Sequence, residues 1–304
     1  MSNVGQHMLS GALSGFASTV CLQPFDLLKT RMQQGDGTIQ PRNTTFILRT
    51  AQEIVAKDGL VGLWRGTAPS LIRNVPGVAL YMTSLTQLRT VMAKSPYFAL
   101  ARKDTIAQGN HSSVLPKLTV QGNLISGATA RVGIGFLLNP VSVLKARFES
   151  NLYAYESLTG SFVSIVRLGP SELLRGFVAS SLRDAPYAGL FVVFYEVIKR
   201  ETSQLLPPTS NTYSTGIHSF SAASAGAIAT MATHPFDVIK TKIQVRKENR
   251  YQGLMSTVRT IWTQRGVSGF FDGTSLRMSR KILSSAIGWA VFEGILMFMR
   301  TDPQ

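Results

Sequence analysis

Residues 24–31 read PFDLLKTR, residues 140–147 read PVSVLKAR and residues 235–242 read PFDVIKTK. In each copy a proline follows a long apolar stretch rich in small residues, and a lysine stands five positions after it. Asp26 and Asp237 lie two positions after their prolines, where the middle copy has Ser142. The separations, 140 − 24 = 116 and 235 − 140 = 95, are close to thirds of a 304-residue chain. A second marker follows each phrase: Gly59 and Gly66, Gly169 and Gly176, Gly266 and Gly273, each pair seven residues apart. Seven residues further on stand Arg73, Arg183 and Arg280. Three markers in three copies identify an internal repeat, and a repeat decides the architecture.

Composition places the repeat in a membrane. The chain is 44% hydrophobic and only 15% charged, against roughly 25% charged in soluble domains. Its mean hydropathy is +0.12. The formal charge of +15 raises nucleic acid as a partner. Lys and Arg are dispersed at segment ends, however, without a dense basic run or an aromatic platform, so no nucleic-acid partner is expected. Juxtamembrane cations facing anionic lipid account for the excess. Charge counting does not orient the spans, because Lys and Arg flank both sides. Cys21 is the only cysteine, which excludes an intramolecular disulfide and a Cys-based metal site. The opening MSNVGQH lacks the basic start of a secretory signal, and no Arg- and Ser-rich amphipathic leader follows, so targeting information is expected to be internal.

Each third has the same order. Residues 8–33 form a long helix with Gly11 and Gly15 in GxxxG register, and Pro24 is expected to kink it. A short amphipathic helix at 44–57 ends at Asp58-Gly59, and a second long apolar segment runs from 67 to 91. The second third gives 118–147, 155–167 and a segment to Lys199; the last gives 215–245, 251–265 and a segment to Arg300. All six long segments exceed the roughly 20 residues that cross a bilayer. Two spans per repeat make the repeats parallel, and three such units close into a ring about a threefold axis. The expected fold is an all-α membrane protein of six transmembrane helices in three pseudo-threefold repeats, over residues 1–100, 117–202 and 214–300, with linkers at 94–116 and 203–213.

An enzyme is not expected. His7, His111, His218 and His234 are not spaced as metal-ligand pairs, and no phosphate-binding glycine loop appears. Ser10, Ser14 and Ser126 in apolar helices read as packing residues, and Trp64, Trp262 and Trp289 as core or interface residues. No cofactor or metal is expected. A structural membrane protein or receptor would leave unexplained the cations and acid at one level of successive repeats.

The tripled Pro-x-Asp-x-x-Lys-x-Arg, followed by Asp-Gly-x4-Trp-Arg-Gly at 58–66, resembles the mitochondrial carrier family over residues 6–300. The resemblance implies six tilted helices, three short helices on the matrix side, and alternating access of a central cavity to the two sides of the inner membrane. It also implies a monomer, with cardiolipin bound near the matrix side. Carried onto this sequence, the matrix gate comprises Asp26, Lys29, Lys145, Asp237 and Lys240, with Gln33 and Gln244 as braces. Asp26 pairs with Lys145 and Asp237 with Lys29; Glu149, at the third brace position, is expected to compensate Lys240 for the acid missing at Ser142. The cytoplasmic gate comprises Arg89, Glu196, Lys199 and Glu293, of which only Glu293–Arg89 keeps both partners. Two bridges against one predict a resting preference for the cytoplasm-open state.

The family places substrate contacts at Arg73-Asn74, Arg183-Asp184 and Arg280-Lys281. Charges inside a span are functional by default. An arginine fork suits a carboxylate and an adjacent acid an ammonium, so Arg183-Asp184 fits an amino-acid zwitterion; the alternative is an internal bridge of Asp184 with Arg183 or Lys281. Arg131 lies 11 residues before Ser142 and 14 before Lys145. These are near three and four helical turns, which puts Arg131 on the gate face, where it reads a carboxylate or balances Asp184. QPFDLLKTRMQ, Val75-Pro76-Gly77-Val78, YAYES at 153–157 and LRDAPYAG at 182–189 resemble the glycine-carrying branch of the family. That branch implies import of glycine, which feeds the first step of haem synthesis in the matrix; another amino acid or an amino-acid-derived cosubstrate is the alternative.

Overall fold

Pro24 has no N–H to give the carbonyl of Val20 four residues back, yet α1 (Asn3–Gln33) runs through it without a break. The freed carbonyl accepts instead from Trp64 Nε1 at 2.9 Å, which adds a hydrogen bond to the core or interface role expected for Trp64. Trp64→Phe keeps the ring and removes the donor. It should destabilise the folded protein by about 1 kcal/mol, read as a lower melting temperature.

The computed structural model describes residues 3–35, 44–95, 97–98, 118–153, 155, 157–205 and 211–300. Most of the expected linkers lies outside the described residues. After α1 come α2 (Thr44–Asp58), a 3₁₀ turn at Leu60–Trp64 and α3 (Thr67–Ala93). In the second third the span is divided: α4 (Val120–Leu137) stops and α5 (Asn139–Glu149) restarts with proline in its first turn, where the missing N–H costs nothing. Two short helices follow, α6 (Leu158–Arg167) and α7 (Pro170–Leu173), then α8 (Phe177–Leu205). The last third repeats the division, with α9 (Asn211–Ala232) and α10 (His234–Val245), followed by α11 (Leu254–Arg265) and α12 (Thr274–Arg300). No strand occurs among the described residues.

The six expected segments are thus long helices or proline-divided pairs, but their apolarity is lower than expected. Among the described residues no single helix is both long and apolar enough to count alone as a span; α4 with α5 qualifies as a pair. Charge stands in line with several of the helices: Asp26 and Lys29 in α1, Arg73 in α3, Arg183 and Asp184 in α8, Arg280 and Lys281 in α12.

The chain divides into two compact units. The first contains Met1–Gly77, Leu138–Phe177 and Val238–Gln304; the second contains Val78–Leu137 and Val178–Asp237. In the first, Val143, Leu144 and Ile165 form a core against Phe148, Leu158 and Leu173, and α1 packs along α12 with Ser18 Oγ 2.7 Å from Ser284 Oγ. Its interior also holds Gln23, Gln33, Glu149 and Gln244, all buried. Buried polar groups are stable only when hydrogen-bonded, and their partners define the site.

Candidate functional site

The three helices that carry the proline phrase hold one another in cyclic order within the first unit. Arg31 Nε donates to the carbonyl of Glu149 at 2.9 Å, Arg147 Nε to that of Gln244 at 3.1 Å, and Lys242 Nζ to that of Gly35. These carbonyls end helices or directly follow one, where they lack intrahelical partners and attract cations. The last basic residue of each phrase therefore caps the phrase helix of the next repeat.

The brace positions follow the same order. Gln33 Nε2 donates to the carbonyl of Asp272, and Gln244 Nε2 to that of Arg175, both at 3.3 Å. Each carbonyl precedes a glycine in the left-handed region, Gly273 at φ 78° and Gly176 at φ 75°. Glu149 occupies the corresponding place at Gly66, φ 92°. A Cβ at Gly66 would lie 2.8 Å from Glu149 Cγ, and one at Gly176 would lie 2.9 Å from Gln244 Cγ. At Gly66 and Gly176 glycine is required twice over, by backbone conformation and by the brace against it; at Gly273, where a Cβ would lie 3.7 Å from Gln33 Cγ, backbone conformation alone requires it.

Lys145 Nζ bonds Asp26 Oδ2 at 2.7 Å, while Arg280 Nε takes the other oxygen of Asp26. Glu149 does not serve Lys240. Its Oε1 accepts from Gln23 Nε2 at 3.0 Å and lies 3.6 Å from Lys145 Nζ, and its Oε2 accepts from Thr30 at 2.7 Å. The extra acid supplements the Asp26–Lys145 pair because its helix end meets the first repeat. Lys240 is buried, and the stem of Lys29 lies beside Gly273. Asn74 Nδ2 donates to Thr19 Oγ1 at 3.1 Å, with Arg73 Nη1 3.5 Å from Asn74 Oδ1. Lys281 is half-buried on α12.

Below the braces, Arg147 and Arg175 converge on Glu172. Burial alone would raise the Glu172 carboxyl; the Arg147 hydrogen bond and the charges of Arg175 and Arg147 outweigh it and hold the group below its ordinary range. A carboxyl lowered in the folded state stabilises above its unfolded pKa, and that contribution fades as pH falls through the folded value. Glu172→Gln should therefore lower the melting temperature at neutral pH, and the gap to wild type should narrow below about pH 4.3.

In the second unit Arg183 is spent on acids. Its Nε and Nη2 donate to the two oxygens of Asp184 at 2.7 and 2.9 Å, and its Nη1 donates to Asp237 Oδ1 at 2.8 Å. This is the internal bridge rather than an Asp184 held ready for an ammonium. A rule joins the two units' arginines: Arg280 holds the motif acid Asp26, and Arg183 holds the motif acid Asp237. The same cyclic order would match Arg73 with position 142, where serine carries no charge.

A cavity of about 430 Å³ lies in the second unit. Three helices line it with stripes at one-turn spacing: Tyr81, Leu85 and Arg89; Asn123, Gly127 and Arg131; Ala188, Val192 and Glu196, with Tyr187 and Phe191 beside the last. The Arg131 guanidinium stands over the Tyr81 ring, 4.7 Å from its centroid, and among the described residues it has no carboxylate partner, so it does not balance Asp184. The division of the span at Leu138 also means that helical turns cannot be counted from Arg131 to Lys145. Tyr187 and Phe191 stack at 6.3 Å, Phe191 and Tyr195 at 6.1 Å, and Lys199 Nζ lies 5.9 Å from the Tyr195 centroid. Arg89 and Glu196 of the expected cytoplasmic gate line the cavity, whereas the side chain of Glu293 lies outside the described residues. Sequence reading passed over Tyr81, Tyr187 and Phe191, although the four-residue spacing of Tyr187 and Phe191 on α8 was an available signal.

The chain matches the family model described as mitochondrial carrier protein at residues 1–96, 116–204 and 211–303. It is a member of the mitochondrial carrier family. The carrier is 72% identical over 308 residues to the mitochondrial glycine transporter of Laccaria bicolor, covering 99% of this chain and all of the relative. It is 43% identical to the proteins of that name from Coccidioides immitis and Emericella nidulans, over 96% of this chain and 89% and 87% of theirs. The all-α fold is that of the family, and the carrier is a mitochondrial transporter of a small molecule, not an enzyme.

Proposed function

We propose that this carrier imports glycine into the mitochondrial matrix, where the amino acid supplies the first step of haem synthesis. Full-length similarity to proteins named for glycine transport supports the choice of solute. The observation that carries the substrate class is Arg131, a cation in a cavity of ordinary ligand-site volume that meets an aromatic face rather than an acid. A guanidinium edge so placed receives a carboxylate. The carrier is multi-pass in the inner membrane, built of repeats at 1–100, 117–202 and 214–300, and works by alternating access as a monomer with cardiolipin bound near its matrix side. The proline-phrase end is the matrix gate, and the ion pairs of Asp26 with Lys145 and Arg280 support that reading.

The substrate layer is Arg73, Asn74, Arg131, Arg183, Asp184, Arg280 and Lys281, in two roles. Arg131 receives the incoming carboxylate; Arg183 and Arg280 hold the acids Asp237 and Asp26. Purified carrier in liposomes should show saturable glycine uptake that unlabelled glycine inhibits and that ornithine and nucleotides do not. A preparation that takes up another amino acid but not glycine would overturn the assignment.

A further inference from the structure

We infer that Tyr81 is a positioning residue for substrate recognition, holding the Arg131 guanidinium by its face so that its edge stays open to the substrate carboxylate. The inference rests on the reading of Arg131 as the receiving cation. Two ways of fixing an arginine occur in this molecule. Arg183 is held by its edge, with three N–H groups donated to Asp184 and Asp237. Arg131 is held by its face, with Cζ 4.7 Å from the Tyr81 centroid. All five donors of a guanidinium lie in its plane, so carboxylates that hold the edge consume the donors that recognise an anion, whereas an aromatic ring against the face consumes none.

Holding the side chain also matters for affinity. Arg131 is exposed in the cavity and has no hydrogen-bond or ion-pair partner among the described residues. Without the ring, a long side chain would be ordered only when substrate binds, and that entropy would be subtracted from binding. Tyr81 and Arg131 lie on different helices, α3 and α4, so their contact arises from tertiary packing rather than helical spacing. The aromatic face is the required feature and the hydroxyl is not.

The test is glycine uptake by reconstituted full-length carrier. Tyr81→Leu should raise the KM for glycine about tenfold and leave the maximal rate within about twofold, while Tyr81→Phe should keep the wild-type KM. Inhibition by glycinamide, which lacks the carboxylate, gives a second readout independent of how much protein folds. The preference for glycine over glycinamide should fall about tenfold in Tyr81→Leu. An unchanged KM and preference in Tyr81→Leu would overturn the inference, as would a Tyr81→Phe variant as impaired as Tyr81→Leu. The underlying reading fails separately, if Arg131→Ala retains glycine uptake at the wild-type KM.

Discussion

Asp26→Asn should destabilise the carrier by about 3–5 kcal/mol, the usual cost of removing one partner from a buried ion pair. Asp26 is a shared anion: Lys145 holds one oxygen at 2.7 Å and Arg280 the other. Its side chain is only 11% exposed and that of Lys145 15%, so water screens the pair little. An asparagine leaves two cations facing an uncharged amide, and Glu149, 3.6 Å from Lys145 and already hydrogen-bonded by Gln23 and Thr30, cannot replace what is lost. Part of the loss falls on the closed form of the gate, so the carrier should also shift toward the form open at the proline-phrase end. The melting temperature of purified protein should drop by many degrees. In a double-mutant cycle with Lys145→Met, the two losses should sum to clearly more than the loss in the double variant, as expected for groups in contact. Strict additivity would show that the two side chains do not act as a pair.

Arg183→Ala should be comparably severe, and for the opposite reason. It leaves two carboxylates without the cation they share, and the Asp237 side chain is 2% exposed. Breaking a buried ion pair by removing one partner costs up to about 3–5 kcal/mol, so the variant should accumulate poorly and melt early. Arg183→Lys should recover only part of the loss. An ammonium is a point charge and cannot reproduce three N–H bonds directed from one plane at two acids. Adding Asp237→Asn to Arg183→Ala should restore stability, because it removes the buried anion left behind. An Arg183→Lys variant as stable as wild type would mean that charge alone, and not the fork, holds the two aspartates.

Particular residues mark how far the sequence could be read. Gly66, Gly176 and Gly273 were visible as a periodic marker, and all three have positive φ; local backbone geometry is written into residue type. Pro24 was visible as a place where a helix loses a hydrogen bond, but not the donor that replaces it, because Trp64 is forty residues away in the chain and only packing brings it there. Glu149 was visible as a departure from glutamine, but its partner was misassigned because symmetry supplies several lysines at equivalent positions and only packing selects Lys145. Tyr81 was not visible as a functional residue, since an aromatic residue in a span is unremarkable until a cation is found against its face.

The sequence by itself determined the threefold repeat, the all-α architecture, and the charged residues that a membrane helix would not carry without use. Each of these depends on composition and on separations of a few residues, over which the backbone fixes geometry. Only the tertiary structure decided which arginine answers which acid, leaving Arg183 and Arg280 bound to the proline-phrase aspartates and Arg131 facing the cavity from an aromatic ring. The reason is that Coulomb energy depends on distance in space, and between helices that distance is set by packing.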